Sequence, residues 1–68
     1  MLGIVKWFDC GKGYGFISSD DDHKDYFVHY SEIRMKGYQT LFEGQKVEFE
    51  PVEDDKGPMA KDVRKVNE

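Results

Sequence analysis

The sequence predicts an all-β domain, a five-stranded antiparallel β-barrel, from three observations. Short runs rich in β-branched and aromatic residues alternate with turn-forming clusters; no helical pattern is long enough for a helix of the usual three turns; and neither an internal repeat nor a low-complexity tract interrupts the chain. Closing the strands into a barrel leaves no unpaired edge. The 68 residues read as one domain, 1–68, of a size that buries only about 60% of the surface its unfolded chain exposes, so stability is expected to be modest.

The first strand is expected over residues 2–9, followed by a turn at Cys10-Gly11-Lys12-Gly13. The second, from Tyr14 to Ser18, alternates so that Tyr14, Phe16 and Ser18 share one face and Gly15 and Ile17 the other. After the polar loop Asp20 to Lys24, a third strand over residues 25–30 puts Phe27 and His29 on one face and Tyr26, Val28 and Tyr30 on the other. Ser31 to Arg34 suits a single 3₁₀ turn, because Gly37 arrives too soon for a full helix. Met35 to Gly44 is loop-like, with Tyr38, Leu41 and Phe42 embedded in it. Residues 45–52 alternate polar and apolar as a half-buried fourth strand, Glu53 to Pro58 is a turn, and Met59 to Val66 closes the chain. In that last run the core candidates Ala60, Val63 and Val66 are spaced by three, which calls for a bulge or a helical turn.

Composition narrows the function. Fourteen acidic against ten basic residues leave a net charge of -4, the wrong sign for a protein that clings to phosphates by charge alone. Aromatic residues make up 15% of the chain, more than so small a core buries comfortably, so some are expected on the surface for a purpose. A lone cysteine, Cys10, closes no internal disulfide and, with His23 and His29, supplies no structural zinc site, so no metal or cofactor is expected and a reducing, cytoplasmic setting fits. No secretory leader pattern is read at the N-terminus, and no apolar run approaches the roughly 20 residues that span a bilayer.

The chemistry lies in Lys12-Gly13-Tyr14-Gly15-Phe16-Ile17, an aromatic RNA-binding pattern in which the glycines leave two rings open for bases to stack upon. The competing possibility is a hairpin with both rings buried, but period 2 buries Ile17 and turns the rings outward. Phe27 and His29 on the next strand extend the same surface and add an imidazole. Catalysis by His29 lacks an identifiable partner base or nucleophile. Gly11-x-Gly13-x-Gly15 lacks dinucleotide-fingerprint spacing, and Asp20-Asp21-Asp22 lacks the ligand alternation of a calcium loop. Cys10 has no resolving partner, and Met1, Met35 and Met59 read as ordinary apolar or terminal residues.

Together, Lys6-Trp7-Phe8-Asp9, Lys12 to Ile17 and Asp25-Tyr26-Phe27-Val28-His29-Tyr30-Ser31, then Gly37-Tyr38, Glu43-Gly44-Gln45 and Gly57-Pro58, resemble the signature segments of bacterial cold-shock proteins. The resemblance covers essentially the whole chain. It implies a barrel of the OB type and carries nucleic-acid contacts onto Lys6, Trp7 and Lys12, onto Tyr14 and Phe16, and onto Phe27, His29, Tyr30 and Tyr38. Phe8 contributes at the periphery, and Asp9, Asp25 and Lys56 complete the candidate site; Lys24 and Lys61 are further sources of positive potential. Asp9 stands where the family usually has asparagine, and Tyr14, Tyr30 and Tyr38 where phenylalanine is common. The carboxylate of Asp9 accepts hydrogen bonds but offers no amide protons to a base. Tyr26 replaces a smaller aliphatic and is expected near the barrel rim.

The implied partner is single-stranded RNA or DNA, preferably pyrimidine, bound by a monomer with no small-molecule substrate and no membrane; the implied role is that of an RNA chaperone acting in translation, transcription antitermination and the cold-shock response. The alternative from another class is a small barrel that uses the same aromatic patch to grip a peptide. An RRM needs two packed helices that this length does not hold.

Overall fold

The computed structural model describes residues 1–34 and 41–66. Five strands follow in order: β1 (Leu2–Asp9), β2 (Tyr14–Ser19), β3 (Asp25–His29), β4 (Lys46–Asp54) and β5 (Gly57–Lys65), with a 3₁₀ turn at Tyr30–Glu32 between β3 and the loop that precedes β4. They close a barrel in the spatial order β1-β2-β3-β5-β4. Four of the ladders are antiparallel, as expected. The fifth, β3 with β5, is parallel and pairs Phe27 with Met59. A ring with an odd number of strands cannot alternate direction all the way round, so an all-antiparallel barrel of five was geometrically closed to this chain.

Alternation sets the core. Along β2 the buried positions are Gly15, Ile17 and Ser19, with Tyr14, Phe16 and Ser18 half-exposed between them. Along β3 they are Tyr26 and Val28. Ile17, Val28, Ile33, Val47, Ala60 and Val63 are fully buried, joined by Val5, Leu41 and Phe49. Each large member stabilises the fold by about 1.5–3 kcal/mol relative to exposure.

Two irregularities aim side chains that strict alternation would misplace. A bulge in β1 between Val5 and Trp7 leaves Val5 buried while Lys6 and Trp7 both lie exposed. A second, between Glu48 and Glu50 on β4, faces the extra residue of β5. There Asp62 adopts a left-handed φ of 55°, and its carboxylate accepts a hydrogen bond from Arg34 Nε at 3.0 Å. This bulge is what lets Ala60 and Val63, three apart, both reach the core; Val66, the third expected core residue, is only half-buried.

Tyr30 departs from expectation. Continued alternation assigns it to the inner face with Tyr26 and Val28, but β3 ends at His29 and the chain turns into the 3₁₀ segment, leaving Tyr30 47% exposed. His29 caps that turn by accepting the Ser31 N–H on Nδ1.

Tyr26 lies buried against Phe49, ring centroids 5.1 Å apart, and its hydroxyl donates to Asp22 Oδ2 at 3.0 Å. The Asp22 carboxylate also accepts the Lys24 N–H at 3.0 Å. That backbone hydrogen bond, opposed by desolvation and aided by the Tyr26 hydroxyl, holds Asp22 below its ordinary pKa of 3.8. A carboxyl depressed by folding stabilises the native state above its unfolded pKa and loses that contribution as the pH falls through the folded value. Asp22→Asn is therefore expected to flatten the acid limb of a pH-stability profile below about pH 4, measured by thermal unfolding. Parallel acid limbs in variant and wild type would rule out Asp22 as a source of the slope. Burial, followed by the hydrogen bond to Asp22, raises the Tyr26 phenol above 10.0, so it stays neutral and donating at physiological pH.

Candidate nucleic-acid interface

The outward residues of three neighbouring strands meet in one aromatic surface. Cross-strand register places Trp7 beside Phe16 and Phe16 beside Phe27, a row running across β1, β2 and β3, with Tyr14 beside His29. Trp7 lies 5.6 Å from Phe16 and 6.0 Å from Tyr14. Phe27 lies 5.7 Å from Tyr14 and 5.8 Å from Phe16. All four contacts are tilted or edge-on, the arrangement that aromatic quadrupoles favour. Each ring therefore braces its neighbours while keeping surface in solvent. Phe8, next to Trp7 on β1 and paired with Gly15, is half-buried and packs against the core, a supporting position.

The β1–β2 turn is held by its own side chain. Asp9 Oδ1 accepts the backbone N–H groups of Gly11 at 2.9 Å and Lys12 at 3.1 Å. The residue that departs from the family's usual asparagine thus uses an acceptor both side chains possess, and the departure leaves the turn intact. Gly13 has φ of 81° and lies against the Tyr30 ring, where a Cβ would sit 2.7 Å from Cδ1. Cys10, Gly11, Lys12, Gly13 and Tyr30 line a shallow depression at this end. The Tyr30 ring continues to His29, centroids 4.5 Å apart.

His29 is oriented by its cap. Its Nδ1 accepts the Ser31 N–H at 3.3 Å and lies 2.9 Å from Ser31 Oγ. With Nδ1 acting as acceptor, the proton of the neutral ring sits on Nε2, which is left as a donor.

Elsewhere on the barrel, Phe16 and Phe27 line a groove together with Asp25, Asp54, Lys56, Pro58 and Met59. Lys6 reaches over β2 to Asp25, Nζ to Oδ2 3.0 Å, with both side chains about half exposed. An exposed pair of this kind contributes about 0–1 kcal/mol, so Lys6 can exchange its carboxylate for a phosphate at little cost. Of the candidate residues, the structure gathers Lys6, Trp7, Tyr14, Phe16, Asp25, Phe27, His29, Tyr30, Lys12 and Lys56 onto one face; Tyr38 lies outside the described residues. Sequence reasoning missed Asp54, Pro58 and Met59. Met59 reads as an ordinary apolar residue until barrel closure sets it beside Phe27.

A family model described as the 'Cold-shock' DNA-binding domain matches residues 1–66. The chain belongs to the cold-shock domain family. Its cold-shock relatives include a "Cold shock-like protein" of Aquifex aeolicus, 58% identical over 66 residues that cover 97% of this chain and 94% of the relative. Another, from Thermotoga maritima, is 58% identical across 97% of this chain and 98% of its own length. "Cold shock-like protein CspB" of Escherichia coli is 56% identical across 93% and 89% respectively. The cold-shock fold itself is shared with the solved structure "drosophila Unr CSD456", with a TM-score of 0.80 at 17% identity, covering 97% of this chain and 26% of that one. Cold-shock domains are nucleic-acid-binding proteins and not enzymes. Among the described residues of this one, no cluster of side chains is suited to a metal ion and no helix is long and apolar enough to cross a membrane.

Proposed function

We propose that this cold-shock domain binds single-stranded RNA and DNA by stacking bases on the Trp7, Tyr14, Phe16 and Phe27 rings, with a preference for pyrimidines. The observation that carries the proposal is that four rings from three strands meet within 5.6–6.0 Å on the outside of the barrel in a chain of net charge -4. Partly exposed aromatic rings accept the face of any base, and each stacked base contributes about 1–3 kcal/mol. Lys6, Lys12 and Lys56 supply local positive charge beside them, and the His29 Nε2–H a hydrogen bond to a base edge. Acidic residues elsewhere oppose indiscriminate attachment to duplex. Purine runs stack on themselves and resist being splayed, which favours pyrimidines.

Binding only unpaired strands pulls hairpins open by mass action, by about 2.7 kcal/mol when the protein is present at 100 times its Kd. That offsets roughly two stacking steps of a DNA duplex at about 1.4 kcal/mol each. No nucleotide hydrolysis is required. We infer an RNA chaperone, acting as a monomer in the cytoplasm, that keeps transcripts open for translation and through transcription terminators.

Titration with heptathymidine is expected to quench Trp7 emission saturably, with heptaadenine weaker and a matching duplex without effect. Few phosphate contacts make the salt dependence shallow. Absence of quenching by every single strand would overturn the stacking mechanism and leave peptide recognition by the same patch as the reading to pursue.

A further inference from the structure

The most exposed large apolar side chain among the described residues is none of the platform rings: it is Phe42, 70% exposed. Its backbone is nonetheless fixed. Leu41, one residue earlier, is 3% exposed in the core. The Phe42 N–H donates to Gln45 Oε1 at 3.0 Å, and the Gln45 N–H returns to the Phe42 carbonyl at 3.0 Å, closing a turn. That turn is bound to β1 from both sides: the Gly44 N–H donates to the Val5 carbonyl at 2.8 Å, and the Val5 N–H to the Gln45 carbonyl at 3.0 Å. A phenylalanine held out into water on a braced turn forgoes the stabilisation that burial would bring; a polar residue would fill an exposed turn position without that loss.

The place of the turn says what the ring is for. Pairing of β4 with β1 runs only through Leu2, Gly3 and Ile4, and the Phe42–Gln45 turn takes over that flank at Val5. The next two residues of β1 are Lys6 and Trp7, turned outward by the bulge. Across a β-turn the first and fourth Cα atoms lie within about 7 Å, so Phe42 stands within about 12 Å of Val5, the residue before this segment. The aromatic row Phe27, Phe16, Trp7 steps one strand at a time toward this flank, and Phe42 lies on the element next beyond Trp7.

We propose that Phe42 extends the base-stacking surface past Trp7, taking one further base of a bound single strand. The proposal rests on the stacking function given above. It adds a prediction which that function alone does not make: the effect of Phe42 depends on ligand length.

The test is Trp7 quenching with tetrathymidine and with octathymidine for wild type, Phe42→Ala, Phe42→Leu and Phe42→Tyr. Phe42 lies outside the core, so thermal unfolding should be nearly unchanged in all three. The expected result is that Phe42→Ala and Phe42→Leu weaken octathymidine binding about tenfold, leave tetrathymidine binding within about twofold of wild type, and that Phe42→Tyr restores the long-ligand affinity. Equal affinity of wild type and Phe42→Ala for octathymidine overturns the proposal, as does full retention in Phe42→Leu. So does concentration-dependent self-association of wild type that Phe42→Ala abolishes without altering binding, since the ring then faces a second copy of the chain. Failure of the stacking function itself is distinguishable: neither oligonucleotide then quenches Trp7 in the wild type.

Discussion

Replacing Phe16 or Phe27 with alanine is expected to lower the affinity for heptathymidine by more than tenfold while the barrel remains folded. Loss of one stacked base costs about 1–3 kcal/mol, and about 1.4 kcal/mol is tenfold. Both rings also brace others: Phe16 lies against Trp7 and Phe27, and Phe27 against Tyr14 and Phe16. Each truncation therefore removes a platform and loosens two more. Neither ring belongs to the buried core, so the cost to stability is confined to lost edge contacts, about 0.5–1.5 kcal/mol each. Isothermal titration gives the affinity and thermal unfolding the stability. Wild-type affinity in both variants would remove the stacking mechanism; a collapse in stability would show that the rings serve the fold instead.

The largest effect on folding is expected from one methyl group. A Cβ on Gly15 would lie 2.2 Å from the Trp7 carbonyl oxygen and 2.7 Å from the Phe8 Cα. Both obstacles are backbone of the neighbouring strand, so no side chain can swing aside. Relief requires β1 and β2 to part where Phe8 pairs with Gly15, next to the β1 bulge. Gly15→Ala is expected to destabilise the protein by about 3 kcal/mol, a large share of what a small domain possesses, and to lower the Tm by more than about 12 °C. Gly11→Ala, whose Cβ would meet only the Asp9 side chain at 3.2 Å, is the matched control. A Gly15→Ala variant as stable as that control would mean that the strands can separate there without loss.

The glycine that spaces the two rings along β2 is thus also a point where the backbone of β1 leaves no room for a Cβ, a double role that the motif does not declare. Alternation reveals which rings of β2 and β3 face outward, because burial on one side of a sheet imposes period 2 on each strand. It fails at Tyr30, where the chain leaves the strand and the period ceases to apply. It is silent on Met59, whose place beside Phe27 depends on closure of the barrel rather than on its own neighbours. The spacing of Ala60 and Val63 does announce a bulge, since two residues three apart reach one face of a strand only with an insertion between them. The parallel ladder follows from counting: five strands in a ring allow no other closure. The capping of the β1–β2 turn by Asp9 is legible only in outline, because a carboxylate beside glycines suits either a turn or a ligand.

That obligatory parallel ladder has a consequence for the order in which the molecule is assembled. Trp7, Tyr14, Phe16 and Phe27 are carried by β1, β2 and β3, which succeed one another through the short connections Cys10–Gly13 and Asp20–Lys24. Met59 reaches Phe27 only through β5, the last strand. Contacts between near neighbours in sequence close small loops at small entropic cost, whereas distant ones wait for the intervening chain. The four rings are accordingly gathered by the local meander, and the seam beside Phe27 is sealed last. During synthesis the four rings are supplied by the first half of the chain, while the second half supplies β4, β5 and the far wall of the groove beside Phe27.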